Sequence, residues 1–222
     1  TARWLDERRL AVPGGQHYRP CPYRVEGDYS QAAFPAVLGA VCGGVAVTGL
    51  RPDSLQGDAA ILDILARCGA NFTRTGDEVR FQAAPLRATA IDLAACPDLG
   101  PILMVLGLFC EGDTVITNAG RLRIKESDRI AAMQEELAKF GGQVLAKGET
   151  VTVKGLGGAL RAPTQPLNSH NDHRVAMALS VAAWAAGLPA LLEDAGAVAK
   201  SWPTFFEDMA WGLGTRWQAR EE

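Results

Sequence analysis

The chain has 222 residues, of which 48% are hydrophobic and 21% are charged, and its formal net charge is −3 at pH 7. A chain of this length and composition can bury a substantial core in one large or two small domains, which excludes a disordered protein. The nearly balanced charge provides no extended basic surface, so we expect no nucleic-acid partner and anion binding only at a local site.

The predicted elements begin with a strand end and a Gly/Pro-rich connection in the first twenty residues. Three stretches then repeat one plan: an apolar helix, a Gly stop, a short strand, a second helix, another Gly stop and a return to strand. Their first helices lie in SQAAFPAVLGAVCGG, DLGPILMVLGLFCEG and NDHRVAMALSVAAWAAG, and the third return strand is TRWQ at residues 215–218. Self-similarity of this kind indicates copied supersecondary units of the form β-α-β-α-β-β.

The two helices of each unit differ in their apolar patterns. The first helix of the second unit is apolar nearly all round, which predicts a buried helix. The second helix, at residues 127–140, is amphipathic, with Ile130, Met133, Leu137 and Phe140 close to one stripe. We therefore expect the first helices inside and the strands outside.

The third unit contains an apolar run, residues 175–192, that is about long enough to span a membrane. Gly187 and Pro189 interrupt it. We therefore predict a buried helix over residues 175–186, a short strand after it, and no membrane partner.

Cysteine usage indicates the compartment. The five cysteines lie singly, no C-x-x-C pair is present, and no secretory signal peptide is visible. Reduced thiols in a cytoplasmic protein are therefore predicted.

Charged residues recur at the predicted helix starts. Lys125, Arg129, Arg174 and Lys200 lie near helix N-termini, where a cation is misplaced unless an anion joins it. Together they predict a pocket for a phosphate or carboxylate. The alternative is that each cation is a solvated surface residue. Pro203 and Pro101 suit first helical positions.

Acidic residues stand beside these cations. Asp98 and Glu126 occupy neighbouring loops where they could move protons, although Asp98 also fits a helix cap. Asp128 is predicted to be a structural partner at the helix start, and so is Arg123. Either Asn171 or Asp172 is expected to cap the third buried helix.

Metal and nucleotide sites have little support in the sequence. His170 and His173 are three residues apart but lack a cluster of further ligands, so we expect no metal. The Gly-Gly pairs fit turns and helix stops, and no phosphate-binding G-x-x-x-x-G-K-[ST] loop is present.

Several segments closely resemble the 5-enolpyruvylshikimate-3-phosphate (EPSP) synthase family. They are VEGDYSQAAFPAVLGAVCGG, PDLGPIL, LRIKESDRIAAMQEELAKFGG, NDHRVAMALSVAA and AKSWPTFFEDM, in order from Gly14 to Phe206. The resemblance implies an α+β fold of β-α-β-α-β-β units with buried helices and outer mixed sheets, the inside-out α/β barrel of enolpyruvyl transferases. It also implies that residues 1–24 are the closing strand and linker of a missing N-terminal domain, and that residues 25–222 form the C-terminal domain.

The resemblance implies a reaction and a role for each site residue. The family transfers the enolpyruvyl group of phosphoenolpyruvate to the 5-hydroxyl of shikimate 3-phosphate, without metal or organic cofactor. By position, Asp98 resembles the proton acceptor, Glu126 the proton donor and Lys125 a shikimate 3-phosphate ligand. The phosphoenolpyruvate clamp would be formed by Arg129, Arg174 and Lys200. Arg121 stands where relatives often have a different polar residue in contact with substrate.

Two alternatives stay open at this point. The related UDP-N-acetylglucosamine enolpyruvyl transferase shares fold and reaction type. The chain alone could also be a folded anion-binding domain without activity, because the missing domain would supply part of both substrate sites.

Overall fold

The computed structural model describes residues 1–213, in which helices alternate with short strands. The α-helices are α1 (Tyr29–Cys42), α2 (Ala60–Arg67), α3 (Gly100–Phe109), α4 (Arg129–Lys139), α5 (His173–Ala186) and α6 (Phe205–Leu213). The strands are β1 (Arg3–Asp6), β2 (Arg9–Ala11), β3 (Val45–Val47), β4 (Asn71–Thr75), β5 (Glu78–Gln82), β6 (Leu86–Arg87), β7 (Ala90–Asp92), β8 (Cys110–Glu111), β9 (Asp113–Thr117), β10 (Gln143–Lys147), β11 (Thr150–Lys154), β12 (Leu167–Asn168) and β13 (Leu192–Glu193). Short 3₁₀ helices cover Gly57–Ala59, Pro97–Leu99, Ala119–Ile124 and Ala195–Lys200.

The sheets confirm the internal repeat. In the first unit, β3 pairs with β5 and β5 with β4, all antiparallel. In the second unit, β9 pairs with β11 and β11 with β10 in the same antiparallel order. The second sheet gains β7, which pairs with β9 in parallel and makes this sheet mixed. The predicted return strand of the third unit, residues 215–218, lies outside the described residues.

The first helices of the three units form the centre of the molecule. Every residue of α3 is buried, as are the first eleven residues of α5 and ten of the fourteen residues of α1. These helices pack against one another. The prediction of buried helices within outer strands is therefore confirmed, and it follows from sequences that are apolar on all sides.

Aspartate side chains define where three helices begin. Asp28 accepts from the backbone N of Ser30 at α1, Asp128 from Ile130 and Ala131 at α4, and Asp172 from Arg174 at α5. A side-chain oxygen at this position satisfies backbone donors that lack helical partners. The helix predicted over residues 127–140 thus runs over Arg129–Lys139, and the one predicted over residues 175–186 starts two residues earlier.

Two predictions about helix starts are wrong. Asp98 does not cap α3, since it lies within the 3₁₀ helix Pro97–Leu99 and turns its carboxylate to cations. Pro203 is not the first helical residue, because α6 begins at Phe205. A 3₁₀ helix precedes α3 and a short turn precedes α6, so both α-helices begin later than predicted. Pro101, by contrast, lies in the first turn of α3.

The N-terminal segment forms an exposed hairpin. Strands β1 and β2 pair antiparallel, and Trp4 and Leu10 are 70% and 49% exposed.

All five cysteines are free. Across residues 1–213, each helix is too short or too polar to cross a membrane.

The same close helix–sheet contact occurs in the first two units. A Cβ added to Gly39 of α1 would lie 2.8 Å from the Cβ atoms of both Phe81 and Val45. A Cβ added to Gly107 of α3 would lie 2.9 Å from the Cβ of Val153. Glycine lets each buried helix lie directly on its own sheet.

We expect Gly39→Ala and Gly107→Ala each to destabilise the protein. Overpacking of a filled core typically costs 1–3 kcal/mol, and the better helix propensity of Ala offsets up to about 1 kcal/mol. The expected net loss in the free energy of unfolding is about 1–2 kcal/mol, measured by urea denaturation. Gly196→Ala is the control, since nothing lies within 4 Å of its added Cβ. Equal stability of all three variants would contradict the close contact.

Candidate active site

The N-termini of the central helices meet at one end of the molecule. Arg174, in the first turn of α5, donates from Nη2 to Ser30 Oγ of α1 at 3.0 Å. The same nitrogen lies 3.4 Å from Asp98 Oδ2, just before α3. The repeat therefore brings the predicted site residues of different units into direct contact.

Arg129 is the most buried charged group of this cluster. Its side chain is 1% exposed, and its guanidinium donates from Nε to Asp172 Oδ2 at 2.8 Å and from Nη2 to Asp172 Oδ1 at 3.2 Å. It also donates to Asp98 Oδ1 at 3.2 Å and to Glu126 Oε2 at 2.6 Å. The anion expected beside this helix-start cation is thus provided by three carboxylates of the chain itself.

Asp172 is a fully buried carboxylate held by Arg129. Burial acts to raise its pKa, but the hydrogen bonds and the charge of Arg129 outweigh that effect and lower the pKa. Ser127 Oγ adds a third donor at 3.0 Å. Asp172 therefore stays ionised and links the start of α4 to the start of α5.

Asp98 stands among three cations. Its carboxylate lies 3.0 Å from Lys125 Nζ, 3.2 Å from Arg129 Nη1 and 3.4 Å from Arg174 Nη2. Burial acts to raise its pKa, but these cations outweigh burial and hold the pKa below its ordinary value. An ionised carboxylate that is 31% exposed is suited to accept a proton.

Lys125 and Glu126 lie at the solvent side of this cluster. The Lys125 side chain is 24% exposed and that of Glu126 is 43% exposed, so both can contact a ligand. They follow the 3₁₀ helix Ala119–Ile124 directly, and Asp128 then caps α4. Arg123 pairs with Asp128 at 3.2 Å, as predicted for these two structural partners.

Lys200 reaches the site through a strained turn. His170 and Asn171 both have a backbone φ of 51°, a left-handed conformation that residues other than glycine rarely adopt. The Lys200 ammonium donates to the backbone carbonyl of Asn171 and, at 2.9 Å, to Asn171 Oδ1. The turn thus holds Lys200 at Asn171, the residue directly before Asp172 in the chain.

Arg121 is the one predicted site residue that stays apart. It is exposed in the 3₁₀ helix Ala119–Ile124, and its side chain forms no hydrogen bond or ion pair with the rest of residues 1–213. The other six, Asp98, Lys125, Glu126, Arg129, Arg174 and Lys200, lie in one cluster or on its edge.

Two residues of the cluster were missed from the sequence. Asp172 was proposed only as one of two possible caps, and Ser30 was not singled out. The Asp172–Arg129 contact spans 43 residues and the Arg174–Ser30 contact spans 144. The available signal was the aspartate directly before the H-R pair, but the partner of that aspartate could be identified only from the three-dimensional structure.

The side chains of His170 and His173 lie near different groups. His170 Nε2 lies 3.3 Å from Glu136 Oε1, and Glu135 completes a possible set of metal ligands. However, Lys139 donates to both oxygens of Glu136 at 2.8 Å, so this carboxylate already has a cation. His173 lies beside Asp172, and burial followed by the charge of Arg174 lowers its pKa.

Comparison with known proteins identifies the family. The family model of EPSP synthase (3-phosphoshikimate 1-carboxyvinyltransferase) matches residues 5–209. The chain is similar to solved EPSP synthase from Acinetobacter baumannii, with a TM-score of 0.80 and 25% identity over 93% of this chain and 50% of that one. The fold is thus that of an enolpyruvyl transferase. The chain belongs to the EPSP synthase family.

Curated relatives give the same family at higher identity. A 3-phosphoshikimate 1-carboxyvinyltransferase of Clostridioides difficile is 39% identical over 90% of this chain and 46% of the relative. One of Methanothrix thermoacetophila is 44% identical over 88% of this chain and 46% of the relative. The chain therefore spans about half the length of the curated relatives it matches.

We expect Asp172→Asn to destabilise the protein by about 3 kcal/mol at pH 7, because it leaves the buried Arg129 charge short of its main counter-ion. A carboxyl with a lowered pKa contributes stability above its unfolded value of about 3.8 and loses it as pH falls further. The difference from wild type should therefore shrink below about pH 4.

Urea denaturation between neutral and acidic pH measures this difference. Asp53→Asn is the control, because Asp53 pairs with Arg51 at the exposed surface and its loss should have little effect. An Asp172 variant as stable as the Asp53 variant at pH 7 would refute the role of the buried ion pair.

Proposed function

We propose that the chain supplies the C-terminal half of an enzyme that transfers the enolpyruvyl group of phosphoenolpyruvate to the 5-hydroxyl of shikimate 3-phosphate. The observation that carries this proposal is the ionised Asp98 carboxylate within 3.0–3.4 Å of Lys125, Arg129 and Arg174. An acid, Glu126, shares Arg129 with it. Membership of the EPSP synthase family supports the choice of substrates.

In the proposed addition step, Asp98 accepts the proton of the attacking hydroxyl. The hydroxyl oxygen bonds to carbon 2 of phosphoenolpyruvate while carbon 3 receives a proton. Lys125, which holds Asp98 at 3.0 Å, binds the phosphorylated acceptor and keeps the base ionised until the hydroxyl arrives.

Glu126 is the proposed donor of the proton to carbon 3. Arg129 Nη2 donates to Glu126 at 2.6 Å, so an incoming carboxylate or phosphate competes with Glu126 for this guanidinium and releases it. Arg129, Arg174 and Lys200 then hold phosphoenolpyruvate. Removal of a proton from carbon 3 and departure of phosphate complete the elimination.

The other half of the site would come from an N-terminal domain. We propose that residues 1–24 close and link that domain and that residues 25–222 form the C-terminal domain, in keeping with the half-length match to curated relatives. The chemistry uses an acid, a base and cations, so we propose no cofactor. A cytoplasmic protein with free thiols fits this chemistry.

We expect no phosphate release from phosphoenolpyruvate and shikimate 3-phosphate with this chain alone, and release once the proposed N-terminal domain is added, because closure would assemble both substrate sites. A phosphate assay measures the outcome. UDP-N-acetylglucosamine as acceptor is the control. Turnover by the chain alone, or with the nucleotide sugar only, would contradict the proposal.

In the enzyme completed in this way, Glu126→Gln should lower kcat by about 10²–10⁴-fold, since loss of a positioned acid has effects of this size. The KM for phosphoenolpyruvate should change much less. Glu135→Gln, on the exposed side of α4, is the matched control. An unchanged kcat for the Glu126 variant would exclude its role as proton donor.

A further inference from the structure

The three units bring equivalent turns to the site with different charges. After β3, β9 and β13 the chain passes through a left-handed residue, which is Gly49, Asn118 or Asp194. A 3₁₀ helix follows in each unit. In the second and third units it leads to Lys125 and ends at Lys200, whereas in the first unit it carries an acid, Asp58.

Asp58 is held against the segment that carries Asp98. A Cβ added to Gly57 would lie 2.1 Å from the carbonyl oxygen of Ala95, so glycine permits this close approach. On the other side, Gln56 accepts from the backbone N of Tyr29 at 2.9 Å and donates to the carbonyl of Gly27. Asp58 is therefore fixed between the start of α1 and the loop before α3.

The charged groups that act on Asp58 come from every part of the site. They are Asp98 before α3, Asp28 at the cap of α1, Arg174 in α5 and Lys125 before α4. The buried Cys96 thiol is also close enough to be affected by the charge of Asp58. Helix α2, which follows Asp58, pairs its own Asp63 and Arg67 at 2.9 Å on the exposed surface.

Two polar atoms at this place lack partners. Asp58 Oδ1 and Arg174 Nη1 are both buried, and neither has a hydrogen bond within the part of the chain that the structure describes. Arg174 as a whole is 9% exposed, and its other terminal nitrogen is taken by Ser30 and Asp98. A buried guanidinium nitrogen without an acceptor is available to an anion.

The charges near Arg174 do not favour an anion as they stand. Within residues 1–213, four carboxylates balance four cations at this end of the helices, since Glu126 is the proposed proton donor and counts as neutral: Asp28, Asp58, Asp98 and Asp172 against Lys125, Arg129, Arg174 and Lys200. A bound anion therefore brings an excess of negative charge. Burial, and next the charge of Asp98, raise the pKa of Asp58 to about 6. Asp58 can therefore take up a proton a little below neutral pH.

We propose that Asp58 takes up a proton from solvent when an anion binds Arg174. The proton removes the excess negative charge, and the neutral carboxyl gains an O–H donor that can face the anion. By linkage, anion affinity must then rise as pH falls. This inference rests on the proposed function, because it concerns the same phosphoenolpyruvate site, but its test does not depend on turnover.

The first test is calorimetry of this chain with sulfate, whose own charge is constant in the pH range used. In two buffers of different ionisation enthalpy, wild type should take up protons on binding, and Asp58→Asn should not. From about pH 7.5 to pH 5.5 the affinity of wild type should rise about three- to tenfold, and that of the variant by less than twofold. Asp53→Asn, at the exposed surface, should behave as wild type.

The second test needs no variant. The Asp58 carboxyl carbon, followed by NMR in wild type, should titrate at a pKa of about 6, and at a higher value with sulfate or phosphoenolpyruvate. Titration at an ordinary aspartate value, or equal proton uptake in both proteins, would overturn the inference and leave the proposed function intact. Failure of wild type to bind either anion would overturn the inference, and phosphate release by the completed enzyme would still decide the proposed function.

Discussion

The ion pair of Arg129 with Asp172 is the constraint on which the site depends. Both side chains are almost completely buried, and a charge removed from water is tolerated only with a well-placed counter-ion. Because Arg129 opens α4 and Asp172 caps α5, the pair fixes the relative position of two helices from different units. Asp98 and Glu126 also accept hydrogen bonds from this guanidinium, so one side chain helps to position both residues that are proposed to transfer protons.

Much of the fold was predictable from local patterns. Apolar residues on all sides of residues 100–109 predicted a buried helix, and the strand order confirmed the repeat that the Gly stops had indicated. The positions of Lys125, Arg129 and Arg174 at helix starts were also evident. What the sequence could not provide was the partner of each charge. A cation at a helix start meets either a ligand or a distant carboxylate, and only the structure places Asp172 beside Arg129. The start of α6 was also missed. A proline favours the first position of a helix, but here a turn that the sequence did not predict lies between the proline and the helix.

The repeat builds the scaffold, while differences between units create the chemistry. Each unit contributes an aspartate near the start of its buried helix, namely Asp28, Asp98 and Asp172. Asp28 caps α1, Asp172 caps α5 and also binds Arg129, and Asp98 has moved into a 3₁₀ helix where it faces cations. One displaced aspartate thus changes from a structural cap into a candidate base. The turns after β3, β9 and β13 follow the same rule, with an acid in one unit and lysines in the others.

The carboxylates that pair with the cations of the site keep these cations ordered before any anion binds. Arg129 and Arg174 would be costly to hold buried and unpaired, and flexible cations would have to be ordered again by each substrate. With Asp98 and Glu126 as partners, the cations are already positioned at the geometry that an anion requires. In the proposed function, a substrate anion would exchange with a carboxylate instead of stripping water from a solvated cation, so little reorganisation would remain. The carboxylate displaced by that exchange would remain beside the reacting atoms, where the proposed reaction needs an acid or a base.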